Sequence, residues 1–420
     1  MCHLRSFWAA APVGVGRLPR NRVPSSMTAG RLRLLGWIVA IGASRLGASQ
    51  MHESAPLFTR ISQETVVPAE VSSHGMFVSV MINGQGPFRM QVDTGCSYSM
   101  ISPEVAAAVE ARGVDSDPDD TQVTNGLGDS LSVPRVLLDS IAVGGVQFEG
   151  VVAGVVPLEL QSKIDSRGLD GLLGYSLFSD LFFALNFPGQ ELSLSPDWPR
   201  NLQPVRAELP IVEHSGVPFV SVELQGQAFE LMVDTGANDR LHLPPEAAGA
   251  LSWKTAPRPG FLLAVAGEVG HEQIGRLTGT MELGSLRQVE PVLEVSSGAP
   301  TIGVGLLHAF SLVFHEEEDK LWLCSDTDGP LPSPPERSVG ISMFSDPGGW
   351  RVAAVIPNSP AEEASVKPGD LVVTIEDQPA RNWTRDQVQG WIEAHPAIAM
   401  RVSSALGERD LNLKVWSLVP

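Results

Sequence analysis

Cysteine is scarce in this chain, three in 420 residues. Cys2 falls in the amino-terminal segment, and Cys96 and Cys324 are too few to build a disulfide framework. Basic side chains are outnumbered, 29 Lys and Arg against 48 Asp and Glu, for a formal net charge of −19. Such a surface repels nucleic acid and anionic lipid, which removes both as partners of the protein body. Long apolar runs are missing too: Leu34 to Ala43 is ten residues, short of the ~20 that a membrane-spanning helix needs. Two hydrolase chemistries are incomplete. Neither His271-Glu272 nor His315-Glu316 has a second His four positions after the first, and Gly174-Tyr175-Ser176-Leu177-Phe178 lacks the closing Gly of a serine-hydrolase elbow.

What is present begins with a basic leader. All seven Arg of residues 1–50 precede the first acidic residue, Glu53; Arg31 and Arg33 stand before the Leu34–Ala43 stretch, and small residues follow at Gly47-Ala48-Ser49. This reads as a targeting segment, with export to a periplasmic or extracellular space expected and an uncleaved amino-terminal anchor as the competing reading. Proline then punctuates the rest. Pro196, Pro199, Pro204 and Pro210 mark a connection between two lobes, and Pro330, Pro332, Pro334 and Pro335 a stiff linker. The expected organisation is a leader over 1–50, a first lobe over 51–198, a second over 199–324, a linker over 325–337 and a separate module over 338–420. Short apolar runs such as Phe77–Ile82, Val136–Ile141 and Phe148–Val156, bounded by Gly, Asn, Asp and Pro, make both lobes mainly β.

The two lobes carry the same signals in the same order. Val92-Asp93-Thr94-Gly95 answers Val233-Asp234-Thr235-Gly236, each behind an apolar strand. Phe77-Val78-Ser79-Val80 upstream answers Phe219-Val220-Ser221-Val222. The distance from that Phe to the Asp is 16 residues in the first copy and 15 in the second, so one hairpin turn is expected to hold an extra residue. Leu172-Leu173-Gly174 answers Thr301-Ile302-Gly303, with apolar residues at identical offsets behind each glycine. The repeat unit is therefore a whole lobe.

A strand ending in Asp-Thr-Gly presents a carboxylate from a tight turn, where Gly admits a second backbone. If the lobes face each other about a pseudo-two-fold axis, Asp93 and Asp234 meet, and carboxylates about 3 Å apart share one proton. The ionised member is then a general base for a water, and the protonated member hydrogen-bonds the scissile carbonyl. No metal, cofactor or covalent intermediate is required.

Met90-Gln91-Val92-Asp93-Thr94-Gly95-Cys96 with Leu172-Leu173-Gly174, and Leu231-Met232-Val233-Asp234-Thr235-Gly236-Ala237 with Thr301-Ile302-Gly303, resemble the two half-motifs of retropepsin-type and pepsin-type aspartic proteases. The resemblance covers roughly residues 71 to 324. It implies a mainly β fold of two homologous acid-protease-like β-barrel lobes related by pseudo-two-fold symmetry. It implies catalytic Asp93 and Asp234, with Thr94 and Thr235 bonding across the dyad beside Gly95 and Gly236. It also implies flaps over the cleft, for which Asn125-Gly126-Leu127-Gly128-Asp129 and Ala264-Val265-Ala266-Gly267-Glu268 are candidate hairpin tips. Three residues depart from the pattern: Gln91 and Thr301 replace apolar residues, and Cys96 stands where Ser or Ala is usual. A thiol is a weak donor, so the dyad is expected to work at a less acidic pH than a stomach-type enzyme. Cys96 is expected to be a buried inert thiol, with oxidation sensitivity as the alternative.

Residues 338–420 carry Ser359-Pro360-Ala361-Glu362-Glu363-Ala364, Lys367-Pro368-Gly369-Asp370 and a Thr384-capped helix from about Arg385 to Glu393. In this order they resemble a small α+β PDZ domain of the bacterial protease type, with Val339-Gly340-Ile341 at its carboxylate-binding loop. Such a domain takes an extended peptide or free carboxy terminus at its sheet edge, and the alternative role is a lid on the lobes. The whole reads as a monomeric aspartic endopeptidase acting on polypeptides, with a non-catalytic peptide-binding scaffold as the alternative. A third arrangement pairs each lobe with its copy in a second chain.

Overall fold

The computed structural model describes residues 55–114, 122–124, 130–158, 167–265 and 268–420, with side chains 122–131 and 261–271 left aside. The expected leader and the candidate flap tips at Asn125–Asp129 and Ala266–Gly267 lie outside the described residues. Among the described residues no helix is long and apolar enough to cross a membrane.

Each lobe is built on a hairpin that ends in the Asp-Thr-Gly loop. In the first, Gly75–Ile82 alternates buried and exposed residues beyond Val78 and pairs antiparallel with Gln85–Asp93, Met76 opposite Val92. The turn between them, Asn83-Gly84, has both residues at positive φ, as a two-residue hairpin of this twist requires. The second lobe repeats this with Val217–Leu224, the turn Gln225-Gly226 and Gln227–Asp234. The turns are thus equal in length, and the extra residue of the first copy is not in a turn. The register is continuous from Phe219–Met232 to Leu224–Gln227 but shifts between Val80 and Ile82 in the first lobe. A bulge at Gly86 absorbs the residue: its φ is +133°, and a Cβ there would lie 2.8 Å from the Val80 carbonyl. A bulge leaves the tight turn intact, which explains why the strand carries the insertion.

The apolar-apolar-Gly segments lie beside the Asp-bearing strands. Gly171–Gly174 runs parallel to Gln85–Asp93 with Gly174 opposite Asp93, and Thr301–Gly303 runs parallel to Gln227–Asp234 with Gly303 opposite Asp234. Behind both lies a six-stranded sheet to which both lobes contribute, in the order Val205–Pro210, Lys320–Cys324, Ser311–His315, Phe182–Asn186, Glu191–Ser195, Thr65–Pro68. Its centre carries the pseudo-two-fold axis. Phe183 pairs with Phe314, Ala184 with Val313 and Leu185 with Leu312. Ala184 and Val313 stand at the same offset from Gly174 and Gly303, so equivalent residues face each other. The Phe183 and Phe314 rings stack at 4.7 Å and Tyr175 meets both edge-on at 5.8 and 5.9 Å. One continuous apolar core therefore runs through both lobes.

The carboxy-terminal module has its own core, including Val339, Trp350, Val352, Val372, Val388, Ile392 and Val402. Ile341–Asp346 is the edge strand of its main sheet, next to Gly349–Val355. Helix Arg385–Ala394 starts at a full capping box, Thr384 with Gln387, and Ser359 caps the short helix Pro360–Glu363. The proline-rich segment before the module is fastened down instead of acting as a free spacer. Leu331 N donates to the Arg287 carbonyl at 2.7 Å and Gln288 Nε2 to the Pro332 carbonyl at 2.6 Å. Arg276 reaches Glu290 O and Ser333 Oγ at 2.7 and 2.6 Å, Pro334 O at 2.7 Å and Pro420 O at 2.5 Å. A proline-rich stretch has few N–H donors to bond its own carbonyls, and a guanidinium fork gathers several of them at once.

Candidate active site

The two Asp-Thr-Gly loops interlock through their threonines. Thr94 Oγ1 donates to the Val233 carbonyl at 2.6 Å, and Thr235 Oγ1 donates to the Val92 carbonyl at 2.8 Å. Each hydroxyl also accepts the other threonine's amide, at 3.0 and 3.1 Å. Both residues are buried, so these bonds are shielded from water. The glycines then let the carboxyls in. A side chain on Gly95 would collide with the Asp234 carboxyl, and one on Gly236 would come within 2.6 Å of the Asp93 carboxyl. The two carboxyls lie near enough for each to shift the other's titration. Asp93 Oδ1 accepts the Gly95 amide at 3.0 Å, and Asp234 Oδ1 accepts the Gly236 and Ala237 amides at 2.8 and 3.0 Å.

This packing sets the protonation. Burial, and then the charge of Asp234, raise the Asp93 carboxyl well above the usual carboxylate range. Burial raises Asp234 as well, against the pull of the Gly236 and Ala237 amides and the bond from Asp93. Both carboxyls are thus raised, and the pair titrates as a unit. Two carboxyls set side by side in this way can serve together as a base and an acid.

The three departures from the half-motif each have a local partner. Cys96 Sγ donates to the Tyr98 carbonyl at 3.0 Å, and burial followed by the charge of Asp93 pushes the thiol up, so it stays protonated. Cys96 is half-buried, not buried as expected, but a thiol without thiolate character is a poor target for oxidation, which favours the inert reading. Thr301 Oγ1 donates to Asp239 Oδ2 at 2.7 Å. Asp239 is a residue the motif comparison did not single out. Burial raises its carboxyl to about 7, the Thr301 bond lowers it and the charge of Asp234 raises it. The available signal was the match of an unexpected hydroxyl at Thr301 with an acid five residues after Asp234. Gln91 Nε2 donates to the His74 carbonyl at 2.6 Å, and His74, pushed down to about 4 chiefly by burial, is neutral at physiological pH.

Hairpins stand where the flaps were expected. Trp253–Val265 and Glu268–Leu277 pair as far as Val265 opposite Glu268, and Gln122–Thr124 pairs with Ser130–Ser132. In the carboxy-terminal module, the edge strand Ile341–Asp346 and helix Arg385–Ala394 border the expected groove. Gly340 has φ +88° and its amide donates to Ser338 Oγ at 2.8 Å. Arg385 donates to the Met343 carbonyl on the edge strand.

Comparison with known proteins agrees with this division. Residues 78–177 match the family model described as aspartyl protease, a span that contains Asp93 and Leu172–Gly174 but not Asp234. Residues 351–402 match that of the PDZ domain. No curated protein matches the chain. Among solved structures, the chain is similar to the HtrA3 PDZ domain bound to a phage-derived ligand (FGRWV), at 18% identity over 20% of this chain and 88% of that one, with a TM-score of 0.18. The chain carries an aspartyl protease domain followed by a PDZ domain.

Proposed function

We propose that the protein is an aspartic endopeptidase that hydrolyses peptide bonds with a water activated between Asp93 and Asp234. The observation that carries this is the mutual fit of the dyad: each carboxyl rests on the other loop's glycine, and the threonines bond across the two loops. In the reaction, the ionised carboxylate takes a proton from the water as it attacks the carbonyl carbon. The protonated carboxyl donates to the carbonyl oxygen, and a proton then passes to the leaving amine. Thr94 and Thr235 hold the two loops in register, and Gly95 and Gly236 leave room for the carboxyls. The PDZ domain captures or gates polypeptide substrates, whose free carboxy terminus it takes at the Ile341–Asp346 edge. Export, set by residues 1–50, and a monomeric state complete the proposal.

Asp93→Asn and Asp234→Asn, each assayed on an unfolded protein pool from about pH 3 to 8, test the reading. Both are expected to abolish cleavage. Undiminished cleavage by either variant removes the dyad mechanism, and a wild-type protein that binds peptides without cutting them supports the scaffold alternative.

A further inference from the structure

An amide buried in place of an apolar side chain is costly unless it is used. Gln91 is 7% exposed, two residues before Asp93, and spends its Nε2 on the His74 carbonyl. The turn it holds, Ser73–Gly75, lies between two partners. Gly75 rests on the opposite catalytic loop, where a Cβ would come within 2.7 Å of the Thr235 carbonyl. On the other side the Ser73 amide donates at 3.2 Å to Asp386 Oδ1, in the first turn of the PDZ helix Arg385–Ala394. His74 sits between them with its Nε2 covered and without a hydrogen-bond partner. The PDZ domain is tied separately to the second lobe. Ile274 and Val292 of that lobe pack with Ile356, Leu418 and Val419, and Arg240 pairs with Glu336 of the segment that leads into the domain, at 2.7 Å. A body fixed to the second lobe thus presses on a first-lobe turn that bears in turn on the second lobe's catalytic loop.

We propose that Gln91 and Asp386 are positioning residues, through which the PDZ helix and the Ser73–Gly75 turn hold the Thr235 loop and hence Asp234 against Asp93. This rests on the aspartic-peptidase reading above and adds that the PDZ domain acts on turnover itself, including turnover of substrates that never enter its groove.

The test uses the full chain and a short fluorogenic peptide with a blocked carboxy terminus, which the groove cannot take by its end. Asp386→Ala and Gln91→Leu are each expected to lower kcat roughly 10-fold at unchanged KM, the pattern of misplaced catalytic groups. The double variant is expected to lose no more than either single one, because both act through one turn. Asp386→Asn, which keeps an acceptor for the Ser73 amide, is expected to restore wild-type kcat. Asp386 lies on the helix surface, so its variants report on activity without loss of fold, and melting temperatures check this. Wild-type kcat in Asp386→Ala, or additive losses in the double variant, would overturn the positioning role while leaving the peptidase reading intact. A wild-type protein that cleaves no substrate would overturn both.

Discussion

Asp239 shows how much a single side chain adds to this site. Its carboxyl is enclosed, bonded by Thr301 and held at about 7, against an ordinary 3.8. A raised folded value means that the unfolded chain gives up this proton first as pH rises. The group's stabilising share is therefore complete below about pH 4 and lost as pH climbs to about 7. Asp239→Asn keeps an acceptor for Thr301 and removes the buried charge. It is expected to raise the melting temperature near pH 8 and to flatten its slope between about pH 4 and 7. An unchanged slope would count against the assignment. The dyad obeys the same sign. Because burial raises both carboxyls, the window in which the pair holds one proton moves upward, and the activity profile is expected to peak above about pH 3. A peak below that value contradicts it. Asp93, Asp234 and their threonines stand out in the sequence because each lies in a short motif written twice. Asp239 and the Ser73–Gly75 turn pass unnoticed in the sequence because the residues they bond, Thr301 for the one and Gln91 and Asp386 for the other, are distant in the chain, and no local pattern announces such pairs.

At the level of elements, the hairpins and the capped PDZ helix were legible from alternation, turn residues and caps; the Gly174 and Gly303 segments were marked by their repetition, but not their parallel pairing with the Asp-bearing strands. The bulge at Gly86 was not, since an inserted residue reads alike in a turn and in a strand. The two sites separate experimentally. Gly86→Ala must adopt a φ of +133° with its Cβ 2.8 Å from a carbonyl, whereas Gly84→Ala, at φ +74°, meets nothing within 4 Å. In urea unfolding Gly86→Ala is expected to cost about 2–3 kcal/mol and Gly84→Ala about 1 kcal/mol. Equal costs would mean that the bulge is not confined by its neighbours.

For the whole molecule, the shared sheet makes the lobes interdependent. Phe314 is fully buried and stacked on Phe183 of the other lobe. Phe314→Ala is expected to cost about 3–5 kcal/mol, and calorimetry should still show the two lobes melting together. A separate transition for each lobe would contradict a common core. The PDZ contact was the least legible feature at this scale, because Ile274 and Val292 look like any other strand residues. Deleting residues 338–420 uncovers both. The shortened chain is expected to melt at lower temperature and to lose turnover on short peptides as well as on proteins, with a larger loss on proteins if the groove captures them.

The axis through the shared sheet has one more implication. In a dimer of identical lobes, whatever residue lies on the axis must face a copy of itself. Here Ala184 faces Val313, small against large, and Cys96 answers Ala237 across the dyad. Joining the lobes in one chain releases the two halves from having to match, so each side of the cleft can be shaped and charged for a different half of an asymmetric substrate.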